Sequence, residues 1–304
     1  MLNTSANRFD PVFSKNNMLM RLIYANLAVF LAIKILYLPF WLMQIDISPD
    51  QFALNWLAVP AHPMQLLYKP WTVITYMFLH LGFFHLLSNM IWLYFLGQLF
   101  VQFLGEKKLW TVYISGGIAG ALLYIIFFNL FPVFEDVMPI SKALGASASV
   151  MAVVAAVGTY APNFSIRLLL LGDVKLKYIA IFAFVLDVIS ISNANSGGHI
   201  AHIGGAALGF FFAQKWKKGK DITAWVGTAT AFVKAIFSSS KKSRMKVKYS
   251  KQKNNRRTES RYEYNSRKKE EQEKVDEILD KISRSGYDSL TKAEKDFLFR
   301  ASGK

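Results

Sequence analysis

Gly145-Ala146-Ser147-Ala148-Ser149-Val150-Met151-Ala152-Val153-Val154-Ala155-Ala156-Val157-Gly158-Thr159-Tyr160 is apolar enough to lie in a bilayer and too short to cross one. From Ser147 to Tyr160 a helix measures about 21 Å at 1.5 Å per residue, against roughly 30 Å of hydrocarbon. If the Tyr160 end meets the interface, the Ser147 end stops inside the membrane, where a water-filled cavity must hydrate its hydroxyl. Gly145-Ala146 gives this helix a flexible lead-in, and a helix N-terminus favours developing negative charge. Ala148, Ala152, Ala155 and Ala156 recur at three- and four-residue spacing and form a small face. Ala201, Gly205 and Gly209 answer it from a later apolar run, the two glycines in a GxxxG pattern. Such faces let backbones approach closely enough for Ser147 to meet His202, and a serine hydroxyl is a weak nucleophile without an adjacent base.

The rest of the chain is built for the same environment. Of 304 residues, 53% are hydrophobic and 15% aromatic, with a mean hydropathy of +0.26. A soluble domain of this size does not keep so much apolar surface from water. The apolar residues also come in blocks near twenty residues long, so the expected class is an all-α polytopic membrane protein. The spans expected are Arg21–Leu42 (interrupted late by Pro39), Phe84–Phe103, Trp110–Phe131, Ser147–Tyr160, Tyr178–Ile191 and His199–Trp216. Lys34 is placed to snorkel to an interface. Residues 46–70, with Asp46, Asp50, Pro60 and Pro63, suggest a structured loop at the membrane surface. The absence of cysteine excludes disulfides, thiol catalysis and cysteine-ligated metals.

Charge sets the orientation. Glu106-Lys107-Lys108, the Arg167–Lys177 segment and the basic tail fall on one side, while Asp46, Asp50, Glu135 and Asp136 fall on the other. The positive-inside rule then puts both termini in the cytoplasm with six spans between them. The net charge of +16 is concentrated from Lys215 to Arg257, and in a membrane protein such a run contacts anionic lipid rather than nucleic acid. Four regions follow. Residues 1–17 are a polar cytoplasmic tail with no signal-peptide cleavage pattern, and 18–216 are the membrane core. Residues 217–261 are a basic linker in which 222–237 form an interfacial helix, since a seventh span would carry the most basic segment outside. Residues 262–304 are a small cytoplasmic helical hairpin, with Gly286 as terminator and Thr291 and Glu294 as a capping box.

Four of the five histidines, His80, His85, His199 and His202, lie within or beside apolar spans, where polar groups are costly and default to function. Gly145-Ala146-Ser147-Ala148 resembles the GxSx motif of rhomboid proteases, and Ala201-His202-Ile203-Gly204-Gly205 resembles their AHxGG motif. The stretch from His80 through His85 to Asn89 resembles their second-helix HxxxxHxxxN pattern, preceded by a matching Trp71. The resemblance covers residues 15–216. It implies a rhomboid-like bundle of six transmembrane helices in a bacterial inner membrane, cutting transmembrane segments of other proteins. It implies Ser147 as nucleophile, His202 as general base and acid, and His85 and Asn89 as oxyanion supports. Gly145, Trp71 and Gly205 would support the site. Ser149 is the rival nucleophile, but the glycine two residues before Ser147 favours the latter.

The family's dyad has no carboxylate. No acid stands next to His202 in the sequence, and Asp187, the one carboxylate within the fifth span, matches no family motif. Three supporting positions depart from the family. Thr72 stands where arginine is common, Val101 where glutamate is common, and Met151 where an aromatic residue stacks on the histidine. Two other readings have distinct marks. A catalytically inactive relative that binds client helices would lose Ser147 or His202, and neither is lost. A metal site would use His199 and His202, joined by His80 and His85, but no HExxH and no accompanying Asp or Glu support it. No cofactor is expected.

Overall fold

Asn17 opens the first helix by accepting a hydrogen bond from the Leu19 N–H at 2.9 Å, and an uninterrupted apolar run carries α1 through Met18–Leu42. The computed structural model describes residues 17–45, 48–168, 172–192, 195–237 and 261–302. The polar tail before Asn17, Asp46 and the basic segment from Lys241 to Arg257 lie outside the described residues. Two compact units result, 1–240 and 241–304.

Helix α1 continues past Pro39 to Leu42, where Pro39 was expected to interrupt it. A proline one turn from a helix end removes a single ladder bond, a small loss where the helix is the only way to satisfy the backbone. Lys34 does not merely reach for the interface: its Nζ lies 2.8 Å from Asp50. Asp50 belongs to α2 (Pro49–Trp56), started by a Ser48 cap. The surface loop is thus an ordered cap of α2, β1 (Val59–Pro60), α3 (Pro63–Tyr68) and α4 (Thr72–Thr75), followed by a 3-10 turn at Tyr76–Phe78.

Next come α5 (Phe83–Leu104) and α6 (Glu106–Leu130), separated by Gly105 alone. Glu106-Lys107-Lys108, expected in the connecting loop, form the first turn of α6. Gly105 makes this turn at φ 86°, a conformation open mainly to glycine. After α6, β2 (Lys142–Ala143) pairs antiparallel with β1, matching Val59 to Ala143 and Pro60 to Lys142. That pairing ties the surface cap to the segment entering α7 (Ser147–Tyr160). A β3–β4 hairpin (Ser165–Leu168 with Gly172–Lys175) leads into α8 (Leu176–Ile189), then α9 (Ser196–Trp216).

These six longer helices, α1 and α5 to α9, form the membrane bundle. Three of them, α1, α5 and α6, are long and apolar enough to cross a bilayer unaided. α6, α7 and α9 make the centre, and their Val112, Tyr113, Ala152, Val153, Ala156 and Phe212 are fully buried. α1 and α8 turn large apolar side chains outward, among them Leu36, Trp41, Ile181 and Phe182, as helices facing lipid do. The protein is integral to a membrane.

Polar contacts sort the helix ends. The Met18 N–H donates to Glu106, Lys217 donates to the Thr159 carbonyl, and Lys108 pairs with Asp221. The start of α1, the α5–α6 turn, the end of α7 and the end of α9 therefore share one end of the bundle. α10 (Ala224–Phe237) starts there too, with Thr223 hydrogen-bonded to Thr111 at 2.8 Å. Its 14 residues span about 21 Å, short of a crossing.

In the second unit, α11 (Arg261–Ser285) ends at Gly286 (φ 79°), and a short 3-10 turn leads to α12 (Lys292–Ser302). The capping box is formed: the Thr291 N–H donates to Glu294 at 2.7 Å, and the Glu294 N–H donates back to the Thr291 hydroxyl at 3.4 Å. Ile278 and Leu290 are its buried apolar pair.

Candidate active site

Gly145 turns the chain into α7 at φ 114°. A side chain there would be strained, and its Cβ would lie 2.7 Å from Cε1 of His85. The Gly145 N–H donates to the Tyr76 carbonyl at 2.9 Å, and the Ala146 N–H donates to His80 Nε2 at 3.3 Å. The His80 and His85 rings meet edge to face with centroids 5.0 Å apart. The lead-in to Ser147 is therefore held by the 3-10 turn before α5 and by two histidines. His80, a motif residue with no assigned task, has a concrete one here: it fixes the peptide that precedes the serine.

Glycines set the distance between α7 and α9. A methyl group on Gly205 would overlap the carbonyl oxygen of Ala148, and one on Gly209 that of Ala152. Gly120 of α6 closes the contact, with no room for a Cβ between Ala148 and the Ala201 carbonyl. The small faces expected from the sequence do meet, and His202 is carried to the level of Ser147.

Between α5, α7, α8 and α9 lies a cavity of about 470 Å³ lined by His85, Asn89, Ser147 and His202, among others. Ser147 and His202 share its wall without a direct hydrogen bond between them; such contacts tighten when substrate enters. Ser149 is fully buried, its hydroxyl is unpartnered and it lies off the cavity. Asn89 is one turn from His85, and its Nδ2 donates to the His85 carbonyl at 2.8 Å, which leaves a second N–H on the amide. Trp92, Val150, Met151, Val154, Ala183 and Leu186 make part of the cavity wall apolar. Met151, where the family's aromatic residue would stack, lies on this wall.

Two of the expected supporting residues lie outside the cavity lining. Gly205 works at the helix contact. Trp71 belongs to the surface cap, donating from Nε1 to the Trp56 carbonyl at 2.9 Å and stacking on the Trp56 ring.

One expectation is overturned. No acid neighbours His202 in sequence, yet Asp187 Oδ1 lies 2.8 Å from His202 Nδ1 and 2.9 Å from His199 Nδ1. The fold brings α8 alongside α9, so residues 12 and 15 positions apart converge. Asp187 is 7% exposed. For the same reason a carboxylate does accompany His199 and His202, and the three groups lie within 4.8 Å of one another. His80 and His85 are not among them. The signal was available: a lone carboxylate in an apolar span is costly and defaults to function.

The rhomboid domain family matches residues 68–217. A family of unknown function, DUF6576, matches residues 262–304. The chain is 26% identical over 216 residues to RHOMBOID-like protein 12, mitochondrial, of Arabidopsis thaliana, covering 68% of this chain and 60% of that protein. It is 25% identical over 183 residues to the Rhomboid protease GlpG of Yersinia pseudotuberculosis and of Yersinia pestis, covering 60% of each chain. The chain thus spans about 60% of the length of the curated relatives it matches. Every residue that lines the cavity falls inside the matched domain, so the candidate site lies in a rhomboid domain spanning residues 68–217.

Proposed function

We propose that this chain is an intramembrane serine endopeptidase that hydrolyses peptide bonds in or near transmembrane segments of other membrane proteins. The observation that carries this reading is the shared cavity, in which Ser147 opens α7, His202 projects from α9, and part of the remaining lining is apolar. A polar nucleophile beside apolar lining suits a peptide drawn from a bilayer.

The reaction follows from these groups. His202 takes the Ser147 proton as Oγ bonds to the substrate carbonyl carbon, and the carbonyl electrons move onto oxygen. His85, Asn89 and the N–H groups at the start of α7 stabilise that oxyanion, where the helix dipole is favourable. The C–N bond then breaks, and His202 returns its proton to the leaving amine. Water, deprotonated by His202, releases the acyl group and restores Ser147. A helical carbonyl is already hydrogen-bonded and covered, so the substrate unwinds locally. Small or helix-breaking residues near the cut are therefore favoured. The protein would sit in a bacterial inner membrane with both termini cytoplasmic, its basic tail on anionic lipid.

The test combines a fluorophosphonate probe with cleavage of a model transmembrane substrate by purified full-length protein. Ser147→Ala abolishes labelling, and Ser147→Ala and His202→Ala each cut the cleavage rate by at least about 1000-fold. Retained cleavage in either variant sinks the assignment. A wild type that neither labels nor cleaves points instead to a membrane protein that binds client helices without cutting them.

A further inference from the structure

Asp187 is the only acidic residue in the 14-residue α8, and the mostly apolar positions after Lys177 carry no other charge. Its neighbours Val185, Val188 and Ile189 are exposed, whereas Asp187 is buried. A carboxylate in such a place is expensive unless its oxygens are hydrogen-bonded. Here one oxygen, Oδ1, meets Nδ1 of both His199 and His202, at 2.9 and 2.8 Å. An ionised carboxylate only accepts, so an ionised Asp187 requires an N–H at Nδ1 of both imidazoles. For His202 this fixes the tautomer: the proton sits on Nδ1, and Nε2 keeps the lone pair that a base must offer to Ser147.

We propose that Asp187 is a positioning residue for His202, making the site a serine–histidine–aspartate array in place of a bare dyad. His199 shares the same oxygen and holds the carboxylate in place. When His202 takes the Ser147 proton, the positive charge forms beside a buried negative one and is stabilised there. Asp187 does not itself take a proton. This rests on the protease reading above. The competing bland role, a tether between α8 and α9, needs only a hydrogen-bond acceptor, and asparagine supplies one with the same shape.

Asp187→Asn in the full chain separates the two roles. The expected result is a fall in kcat of about 10- to 100-fold with KM within about twofold, because the neutral amide holds the ring but not its charge. Fluorophosphonate labelling slows by a similar factor, and the melting temperature stays close to wild type. A second measurement needs no Asp187 variant. The ¹⁵N-histidine-labelled wild type should show two carboxylate-bound imidazole N–H resonances at low field, one of which disappears in His202→Gln. Wild-type kcat in folded Asp187→Asn, with Ser147→Ala inactive, overturns this inference and leaves the protease reading standing. Cleavage retained in Ser147→Ala sinks the protease reading and this inference with it. Activity lost to a chelator and restored by zinc also overturns it, since Asp187, His199 and His202 would then be metal ligands.

Discussion

A single methyl group decides how close α7 and α9 lie. Gly205 faces the Ala148 carbonyl with no space for a Cβ, and backbone, unlike a flexible side chain, does not swing aside. Gly205→Val should therefore destabilise the bundle by about 2–3 kcal/mol or more, the range for overpacking without relief. It should also separate Ser147 from His202, so cleavage falls more steeply than stability. Thermal melting in detergent alongside the cleavage rate checks this. A variant that melts normally and cuts normally would mean that the helices have slack. The turn into α7 was legible at this scale from Gly145, two residues before Ser147, and Ser149 is buried. Asp187 was not legible as a partner of His202. Its register is set by how α8 lies on α9, and no local spacing in the sequence encodes that.

Among the elements, the spans could be read from apolar length, while the joints between them could not. β1 and β2 come from distant loops, and nothing in a two-residue strand announces its partner. α10 is a similar case: its apolar run was visible, its anchor was not. Asp221, just before it, accepts from Lys108 and from both the N–H and hydroxyl of Thr223. Burial pushes the Asp221 carboxyl up, but the hydrogen bonds from Lys108 and Thr223 outweigh this and hold it below its ordinary value of 3.8. The folded group thus binds its proton less tightly than the unfolded one, so its stabilisation is complete above about pH 4 and fades as pH falls through the lowered value. Asp221→Asn at neutral pH should loosen α10 by roughly 1 kcal/mol, about a fivefold rise in amide exchange across Ala224–Phe237. Wild type should show a rise that grows as pH falls below about 4 and through the lowered value, after correction for intrinsic exchange. Exchange in Asp221→Asn equal to wild type would show that the Thr223–Thr111 contact holds the helix alone.

For the whole molecule, the remaining question is which end faces the cytoplasm. The contacts that gather Met18, Glu106, Lys108, Thr159, Lys217 and Asp221 put the basic turns at one end. The Glu135-Asp136 loop follows the opposite end of α6. Each lysine or arginine held near an anionic leaflet is worth about 1 kcal/mol, so the basic end should face the cytoplasm. The chain has no cysteine, which makes the test clean. Asp136→Cys and Lys175→Cys each place one thiol at an exposed position, in loops belonging to opposite ends of the bundle. In intact spheroplasts a membrane-impermeant maleimide should label Asp136→Cys fully and Lys175→Cys only after the membrane is opened. The reverse pattern would invert the protein. The cavity at the Ser147 end of α7 would then open toward the cytoplasm, and the active site would serve substrates presented from that side.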